Sequence, residues 1–421
     1  MLKSVLPVKG FRDLYPEEMA FQNWLFAKMR KVSTSFGYEE YEGPILEPVE
    51  IYEAKSSKEL VKKQTFQLTD KGGRKLALRP ELTPTLARMV AAKQFEIPLP
   101  IRWFSIGPRF RYETPQKGRA REFYQWDIDL VGIKSPEADA EIIAIACRFF
   151  QEIGLTSKEV IVKINNRKLM ELKLSVLGFG KNMTATIFNL IDKKNKMDEK
   201  EWVLFCKSKG LDDKQIQSLK YMLGDRDVAF ESEELTETLS TLKDLDLSSY
   251  IEFDPSIVRG LEYYTGTVFE ASDRKRSFRA ILGGGRYDNL VEIFGGKEIS
   301  GVGFACGDMV IKELLKYYGK MPEINPNISK VLITVFNDST FRNSLAVFAR
   351  IQKDNLCSEI YPTSKMSLDK QLKYADKKGI PFAVIIGPEE VKTNKIQLKN
   401  LRTKEQKMVS VEEAIAIIGE Q

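Results

Sequence analysis

Residues Arg102–Gly132 read RWFSIGPRFRYETPQKGRAREFYQWDIDLVG. The stretch opens with apolar and aromatic residues and crosses a loop carrying Pro115, Gln116, Lys117, Gly118, Arg119 and Arg121. It returns through FYQWDIDLV, where Phe123, Trp126, Ile128 and Leu130 sit among polar residues. That pattern predicts strand, basic loop, strand. Side chains alternate along a strand, so Gln125, Asp127 and Asp129 share one face of the returning strand, and Arg109 and Arg111 share one face of the outgoing strand. A sheet surface that sets guanidinium groups opposite an amide and carboxylates suits a ligand with phosphate at one end and a polar cation at the other. An ordinary antiparallel hairpin also brings Arg near Asp on its exposed face, where such pairs are weak.

This segment resembles motif 2 of the class II aminoacyl-tRNA synthetases, and the run FRYETPQKGRAREFYQ is particularly close to the histidyl-tRNA synthetases. The resemblance implies that Arg111 binds the α-phosphate of ATP, with Arg119 in the same ATP site. It places Glu113 near the adenine and Phe123 over one face of that ring. By the same resemblance, the loop holding Gln116, Lys117 and Arg121 approaches the acceptor end of tRNA.

A chain of 421 residues with 43% hydrophobic content is long enough for two or three domains, each with its own core. The net charge of +6 comes from 65 basic and 59 acidic residues, a mild bias compatible with nucleic-acid contact, so local clusters must carry that claim. Cys147, Cys206, Cys306 and Cys357 are far apart and form no C-x-x-C pair. That points away from disulfides and a metal site and fits a reducing cytosol. No apolar run reaches transmembrane length, and MLKSVLPVKGFRDLYPEE has none of note; the expectation is a soluble, cytoplasmic protein with no membrane partner. The chain contains no histidine, so acid–base chemistry has to use carboxylates, Lys, Tyr or the substrate itself.

Ahead of the hairpin, apolar residues at Phe21, Trp24, Leu25 and Met29 predict a helix over Ala20–Phe36. A strand follows, broken by Gly43-Pro44 before ILEPVEIY. A long helix followed by a strand with a central Pro resembles motif 1 of the class II synthetases, which implies a homodimer. In QTFQLTDKGGRKLALRPELTPTLARM, Lys71-Gly72-Gly73 predicts a hairpin turn, and Thr83-Pro84 an N-cap with Pro at the first helical position. Glu81 and Thr83 then sit at a strand-to-helix junction, where a carboxylate either faces a pocket or simply favours the helix N-terminus. The R-P-E-x-T pattern resembles that of the histidyl-tRNA synthetases and implies that Glu81, Thr83 and Gln125 hold the α-ammonium of free histidine.

Beyond the hairpin, an apolar-striped helix over Ala138–Gly154 leads to the strand EVIVKIN, ending near Asn166. From 167 to 249 the chain is helical, charged and poor in Pro, which reads as an insertion; its charge run Lys193–Lys200 reads as a solvated face. In the resembled family such an insert clamps the tRNA acceptor arm. Ile257–Glu270, IVRGLEYYTGTVFE, reads as a glycine-bearing loop into a strand. On the residues alone it is equally a loop with two packed tyrosines. R-G-L-[DE]-Y-Y-T-G is, however, the segment that marks histidyl-tRNA synthetases among class II enzymes. It implies that Arg259 contacts the α-phosphate and the substrate carboxylate, and that Tyr264 and Asp129 bracket the imidazole, with Tyr263 beside them. The family usually has Glu where this chain has Asp129.

Gly283–Asp288, GGGRYD, predicts a glycine-rich turn into a helix, a weak phosphate-cradle signal by itself. It resembles the family segment whose tyrosine, here Tyr287, lines the amino-acid pocket. SGVGFACGDMVIKELL resembles motif 3, strand then helix, with Gly303 and Gly307 letting adenine lie against backbone. Motif 3 usually ends in an acidic residue and an adenine-stacking Arg; this chain has Met309 and Val310, leaving one ring face without a cation–π partner typically worth roughly 0.5–2 kcal/mol. After the PEINPNIS linker, alternating strands and helices predict a three-layer α/β module that resembles the anticodon-binding domain of the histidine, proline, threonine and glycine synthetases.

The expected fold is thus α/β and multidomain. Residues 1–166 and 250–325 form a class II antiparallel-sheet catalytic domain, 167–249 a helical insertion, and 330–421 the anticodon-binding domain. The implied activity is ATP-dependent activation of histidine, with Mg2+ accompanying ATP and no structural metal, then transfer to tRNA. Two rival expectations share the core: a non-catalytic regulatory subunit of histidine biosynthesis, and a tRNA-binding sensor. The first generally lacks the C-terminal module and part of the arginine and tyrosine set, both present here; for the second the only argument is the missing motif 3 arginine.

Overall fold

The computed structural model describes residues 6–54, 60–116, 118–194, 197–258 and 263–420, so Arg259, Gly260 and Lys117 lie outside the described residues. The chain forms two compact units. One holds the residues up to Asp13 together with Gln22–Pro322, the other Leu14–Phe21 together with Glu323–Gln421.

Helix α1 spans Pro16–Ser35, starting before the expected Ala20 because proline suits a first helical turn, where no N–H partner is needed. Its Leu25, Met29 and Val32 form a buried stripe at helical spacing. β1 (Glu39–Glu40), β2 (Leu46–Pro48) and α2 (Val49–Glu53) follow. The expected strand through ILEPVEIY therefore stops at Pro48, which has no N–H for a further rung, and Val49, Ile51 and Tyr52 are buried from a helical turn instead. β3 (Gln67–Thr69) and β4 (Lys75–Leu78) form the expected hairpin, with Gly73 at φ +80° and the Asp70 carboxylate accepting from the amides of Gly72 (2.9 Å) and Arg74 (2.8 Å). In α3 (Thr83–Lys93) the cap position belongs to Leu82 and carries no side-chain hydrogen bond. Thr83 is the first helical residue, not the cap.

The decisive hairpin is β5 (Ile101–Phe110) and β6 (Glu122–Val131), antiparallel with Ser105 opposite Asp127 and Arg109 opposite Phe123. α4 (Pro136–Glu152), capped by the Ser135 hydroxyl, covers the rear of the sheet. There Trp126 stands edge-on to Phe149 and Phe304, with centroids 5.0 Å away in each case. β7 (Val160–Asn166) is buried along its whole length. The helices α5 (Arg167–Val176), α6 (Thr184–Lys194), α7 (Glu199–Ser208) and α8 (Asp213–Gly224) close a separate small core around Ile187, Leu190, Trp202 and Leu219. α9 (Glu233–Asp244) packs on α4 instead. Within the charge run expected as a solvated face, Asp198, Glu199 and Lys200 are exposed, whereas Lys193 and Lys194 are half-buried, with their ammonium groups over the rings of Phe205 (4.9 Å) and Trp202 (5.8 Å).

β8 (Ile251–Phe253), β9 (Thr267–Asp273), β10 (Leu282–Tyr287), α10 (Leu290–Ile293), β11 (Gly301–Gly307) and α11 (Asp308–Tyr317) complete this unit. Among the described residues, eight strands form one sheet in the order β1-β5-β6-β11-β10-β9-β7-β8, antiparallel except at β1–β5 and β7–β8. The glycine triplet is therefore not the expected turn: Gly283–Gly285 lie inside β10, between β9 and β11. Glycine serves here through its missing side chain. A Cβ at Gly284 would lie 2.3 Å from the Gly303 carbonyl oxygen and 2.6 Å from the Phe269 ring, and one at Gly285 would lie 2.8 Å from the Tyr264 ring. Gly284→Ala is expected to cost about 1–3 kcal/mol through overpacking, read as a lower denaturation midpoint; an unchanged midpoint would count against the close packing. The adjoining Arg286 is buried and ties β10 to α4, pairing with Asp139 (Nε–Oδ1 2.8 Å) and donating to the carbonyls of Ile133 and Ser135 (3.0 Å each).

The second unit contains β12 (Val331–Ile333), α12 (Phe341–Lys353), β13 (Ser358–Ile360), α13 (Leu368–Lys378), β14 (Phe382–Ile385), α14 (Pro388–Thr393), β15 (Ile396–Asn400), β16 (Gln406–Val409) and α15 (Val411–Gly419). Its strand order is β13-β12-β14-β15-β16, parallel across the first three and antiparallel beyond. Val331, Ile333 and Val384 pack with Ile351 of α12 and Ile418 of α15, while Leu332 and Ala383 pack with Ala375 of α13, giving the expected three layers. Sequence reading places the strands PFAVIIG and KIQLKNL before the final helix; β16 is a further one, with no buried residue to mark it.

Candidate active site

The front of the large sheet carries two adjoining cavities, and the chain builds their floor from buried ion pairs. Arg109, fully buried, donates to Asp127 at 2.8 Å; burial raises the Asp127 carboxyl while Arg109 pulls it back. The Arg–Asp juxtaposition read from the hairpin is thus an internal brace, not a surface pair. Arg79 is equally buried: it pairs with Glu42 and donates to the carbonyls of Pro108 (2.9 Å) and Gly43 (2.8 Å). This holds the strand-to-helix junction of β4 and α3 against the hairpin. Arg111 then donates from Nε to the Pro80 carbonyl at 2.9 Å, and its guanidinium stands 5.3 Å from the Phe123 ring centre.

The first cavity, about 220 Å³, is walled by Arg111, Glu113, Arg119, Phe123 and Gly307, together with Met309 and Val310. Glu113 and Arg119 form an ion pair within it. Asp308, the first residue of α11, pairs with Arg12 at 3.1 Å and accepts from the Tyr124 amide at 3.1 Å, which fixes the β11–α11 junction at this end. Of the described residues the resemblance assigns to ATP, only Gly303 lies elsewhere, in the wall of the second cavity.

The second cavity, about 630 Å³, gathers Glu81, Thr83, Gln125, Asp129, Tyr263, Tyr264 and Tyr287, all seven residues the resemblance assigns to histidine. They come from α3 and its approach, from β6, from the start of the β9 segment and from β10. The Tyr263 hydroxyl donates to Glu81 Oε2 at 3.4 Å and also engages Thr83, and the Tyr263 and Tyr264 rings stand 5.0 Å apart. The Tyr287 hydroxyl donates to Asp129 Oδ1 at 2.7 Å. Burial, first of all, pushes the Asp129 carboxyl up to about 8; the neighbouring Asp127 adds to this and the Tyr287 bond opposes it. Burial holds the hydroxyls of Tyr263 and Tyr287 well above the ordinary phenol value, so both stay protonated. Gly303 is required beside the carboxylate, since a Cβ there would lie 2.1 Å from Asp129 Oδ1. Gln125 Oε1 is buried and has no hydrogen-bond partner among the described residues, leaving an acceptor available to a ligand.

Of the loop residues the resemblance assigns to tRNA, Gln116 and Arg121 are in the wall of neither cavity. Gln116 and Arg119 bond each other through backbone, and the Arg121 guanidinium sits 4.0 Å over the Tyr112 ring and donates to the Glu113 carbonyl at 3.1 Å. Arg259 and Lys117 fall outside the described residues. Three wall or support residues went unnoticed in the sequence. Arg79 is braced across distant segments, Asp192 reaches the second cavity from α6 of the helical segment, and Arg279, in the basic run before β10, lines both cavities. Arg79 is the first residue of R-P-E-x-T, a pattern that gives no sign of its bracing role, and Arg279 is one of four arginines and lysines in DRKRSFR.

A mostly antiparallel sheet that floors two joined cavities, arginine-rich at one end and lined by carboxylates and tyrosines at the other, followed by an α/β module, is the architecture of a class II aminoacyl-tRNA synthetase. The family model described as "Histidyl-tRNA synthetase" matches residues 10–309, and that described as "Anticodon binding domain" matches 330–421. The chain belongs to the histidyl-tRNA synthetase family. It is 38% identical to a histidine–tRNA ligase of Leptospira biflexa over 98% of its own length and 97% of the relative's. Its structure is similar to that of a histidyl-tRNA synthetase from a Nostoc species, with a TM-score of 0.84 and 26% identity over 99% of this chain and 100% of that one. It also shares its fold with a Bacillus halodurans protein described as an ATP phosphoribosyltransferase regulatory subunit/histidyl-tRNA synthetase (TM-score 0.72, 23% identity, 88% of this chain and 96% of that one).

Proposed function

We propose that the chain is a histidine–tRNA ligase, which activates histidine with ATP to histidyl-adenylate and transfers histidine to its cognate tRNA. The observation that carries this reading is the meeting of the two cavities at Arg111, with an acceptor-rich pocket on one side and an aromatic, arginine-bearing pocket on the other. Glu81, Thr83 and the unpaired Gln125 oxygen receive the α-ammonium of histidine, and Tyr263 holds Glu81 in place. Asp129, oriented by Tyr287, takes one imidazole nitrogen and Tyr264 the other. Phe123 lies along one adenine face, with Glu113 near the ring and Gly303 and Gly307 leaving the backbone approachable.

In the first step a carboxylate oxygen of histidine attacks the α-phosphorus in line; the bond to the bridging oxygen breaks and pyrophosphate leaves. Arg111, Arg119 and, by the family resemblance, Arg259 stabilise the charge on the phosphate oxygens. In the second step the terminal ribose hydroxyl of tRNA attacks the adenylate carbonyl, AMP departs, and the hydroxyl proton passes to a phosphate oxygen of AMP. Mg2+ would accompany ATP and assist the departure of pyrophosphate, while the arginines of this chain hold the phosphate oxygens. Gln116, Lys117 and Arg121 meet the tRNA acceptor end, residues 167–249 the acceptor arm and 330–421 the anticodon. The catalytic parts are 1–166 and 250–325, and the first segment forms a homodimer interface. Among the described residues no helix is long and apolar enough to cross a membrane; the setting proposed here is the cytoplasm.

The regulatory-subunit and sensor readings are not favoured. The full-length relative is named a tRNA ligase, and both the tyrosine set and the anticodon-domain match are present. With purified protein, tRNA and ATP, labelled histidine is expected to become attached to tRNA through an alkali-labile ester, and no other amino acid to do so. Absence of attachment with histidine would remove the reading.

A further inference from the structure

The two cavities share three arginines in their walls, Arg111, Arg119 and Arg279. Arg119 has Glu113 as counter-charge, and Arg111 is anchored on the Pro80 carbonyl and over Phe123. Arg279 stands on the connection from β9 to β10, exposed at the rim, and among the described residues it meets no carboxylate. Burial and the charge of Arg111 hold the Arg279 guanidinium below its ordinary value, and burial with the charges of Arg279 and Arg111 does the same to Arg119. Three cations thus repel one another in the wall common to both cavities, an arrangement that a polyanion there would relieve.

The position along the site decides which part of the ligand that is. Phe123, Gly307, Met309 and Val310 line the first cavity alone, and Glu81, Asp129 and the tyrosines line the second alone. Arg279 lies in the stretch common to both, where a phosphate chain between base and amino acid has to pass. Met309 and Val310, at the start of α11, offer that chain no charge.

We propose that Arg279 is a nucleotide-binding residue that contacts the phosphate chain of ATP, a cation delivered from the β9–β10 connection. This rests on the ligase reading above. Because the group is exposed, its contribution is screened and moderate.

The test is histidine-dependent ATP–pyrophosphate exchange by wild-type protein, Arg279→Ala and Arg279→Lys, with inhibition by AMP and adenosine measured alongside. Arg279→Ala is expected to raise the KM for ATP about 5–20-fold and to leave the KM for histidine within about twofold, with the thermal midpoint unchanged. Arg279→Lys is expected to recover most of the loss. Weakening should be absent for adenosine, small for AMP and largest for ATP. An unchanged KM for ATP in Arg279→Ala, or an equal loss for adenosine and ATP, overturns the phosphate assignment while leaving the ligase reading standing. A wild-type protein without histidine-dependent exchange overturns both.

Discussion

Arg111→Ala is expected to slow histidyl-adenylate formation about 10²–10³-fold, the loss typical of removing one preorganised donor aimed at developing charge. The side chain is set for that role before any substrate arrives. Its Nε is committed to the Pro80 carbonyl at 2.9 Å and its guanidinium stands 5.3 Å from the Phe123 ring centre, so the remaining N–H groups are held in the wall common to both cavities. The side chain is half-buried in a cavity wall and not in a packed core, so stability is expected to change little. Arg111→Lys keeps the charge but loses the planar fork and the fixed Nε bond, and is expected to recover only part of the rate. Single-turnover adenylate formation reads the effect, with near-ultraviolet circular dichroism as the control on folding. A rate within about threefold of wild type would take Arg111 out of the reacting centre.

The second large effect concerns Asp129 and pH. Its carboxyl is pushed up to about 8 by burial, so near neutrality it is protonated, and free histidine is mostly neutral above about 6.5. The complex then holds one proton between Asp129 and the imidazole. Below about 6.5 the incoming histidine brings a second proton, and above about 8 neither partner brings one, so kcat/KM for histidine is expected to be bell-shaped between those limbs. Asp129→Asn should lower kcat/KM by roughly 10–150-fold, the equivalent of a charge-assisted hydrogen bond, and should lose the alkaline limb.

Stability gives an independent check on Asp129. The folded carboxyl titrates above its unfolded value, so the stability it allows is complete below about 4 and is lost as pH rises through about 8. Asp129→Asn should therefore be relatively more stable than wild type at alkaline pH. An alkaline limb unchanged in Asp129→Asn would show that another group sets it.

The hairpin was legible because strand alternation fixes which side chains share a face, and Gln125, Asp127 and Asp129 do lie on the cavity side of β6. Alternation could not say that Asp127 turns inward to a buried Arg109 while Asp129 meets Tyr287, since those distinctions arise from what packs over the strand. The glycine triplet misled because glycine signals a turn by its backbone freedom; here it is present for its missing Cβ, a contact with Gly303 and Phe269 that local sequence does not contain. Pro48 ended a strand that hydrophobicity alone would have continued. Arg79, Asp192 and Arg279 were hidden for one reason: each becomes part of the site through elements far away in the chain. The family resemblance reached the Glu81 and Tyr264 segments together, and the cavity joins them through the bond from Tyr263 to Glu81.

The central claim is that the paired cavities activate histidine and no other amino acid, and ATP–pyrophosphate exchange without tRNA tests it most directly. Offered each amino acid in turn, the protein is predicted to exchange label only with histidine, with Met309 and Val310 in place of the usual motif 3 pair. No exchange with any amino acid, by protein whose fold is verified in the same preparation, would contradict it.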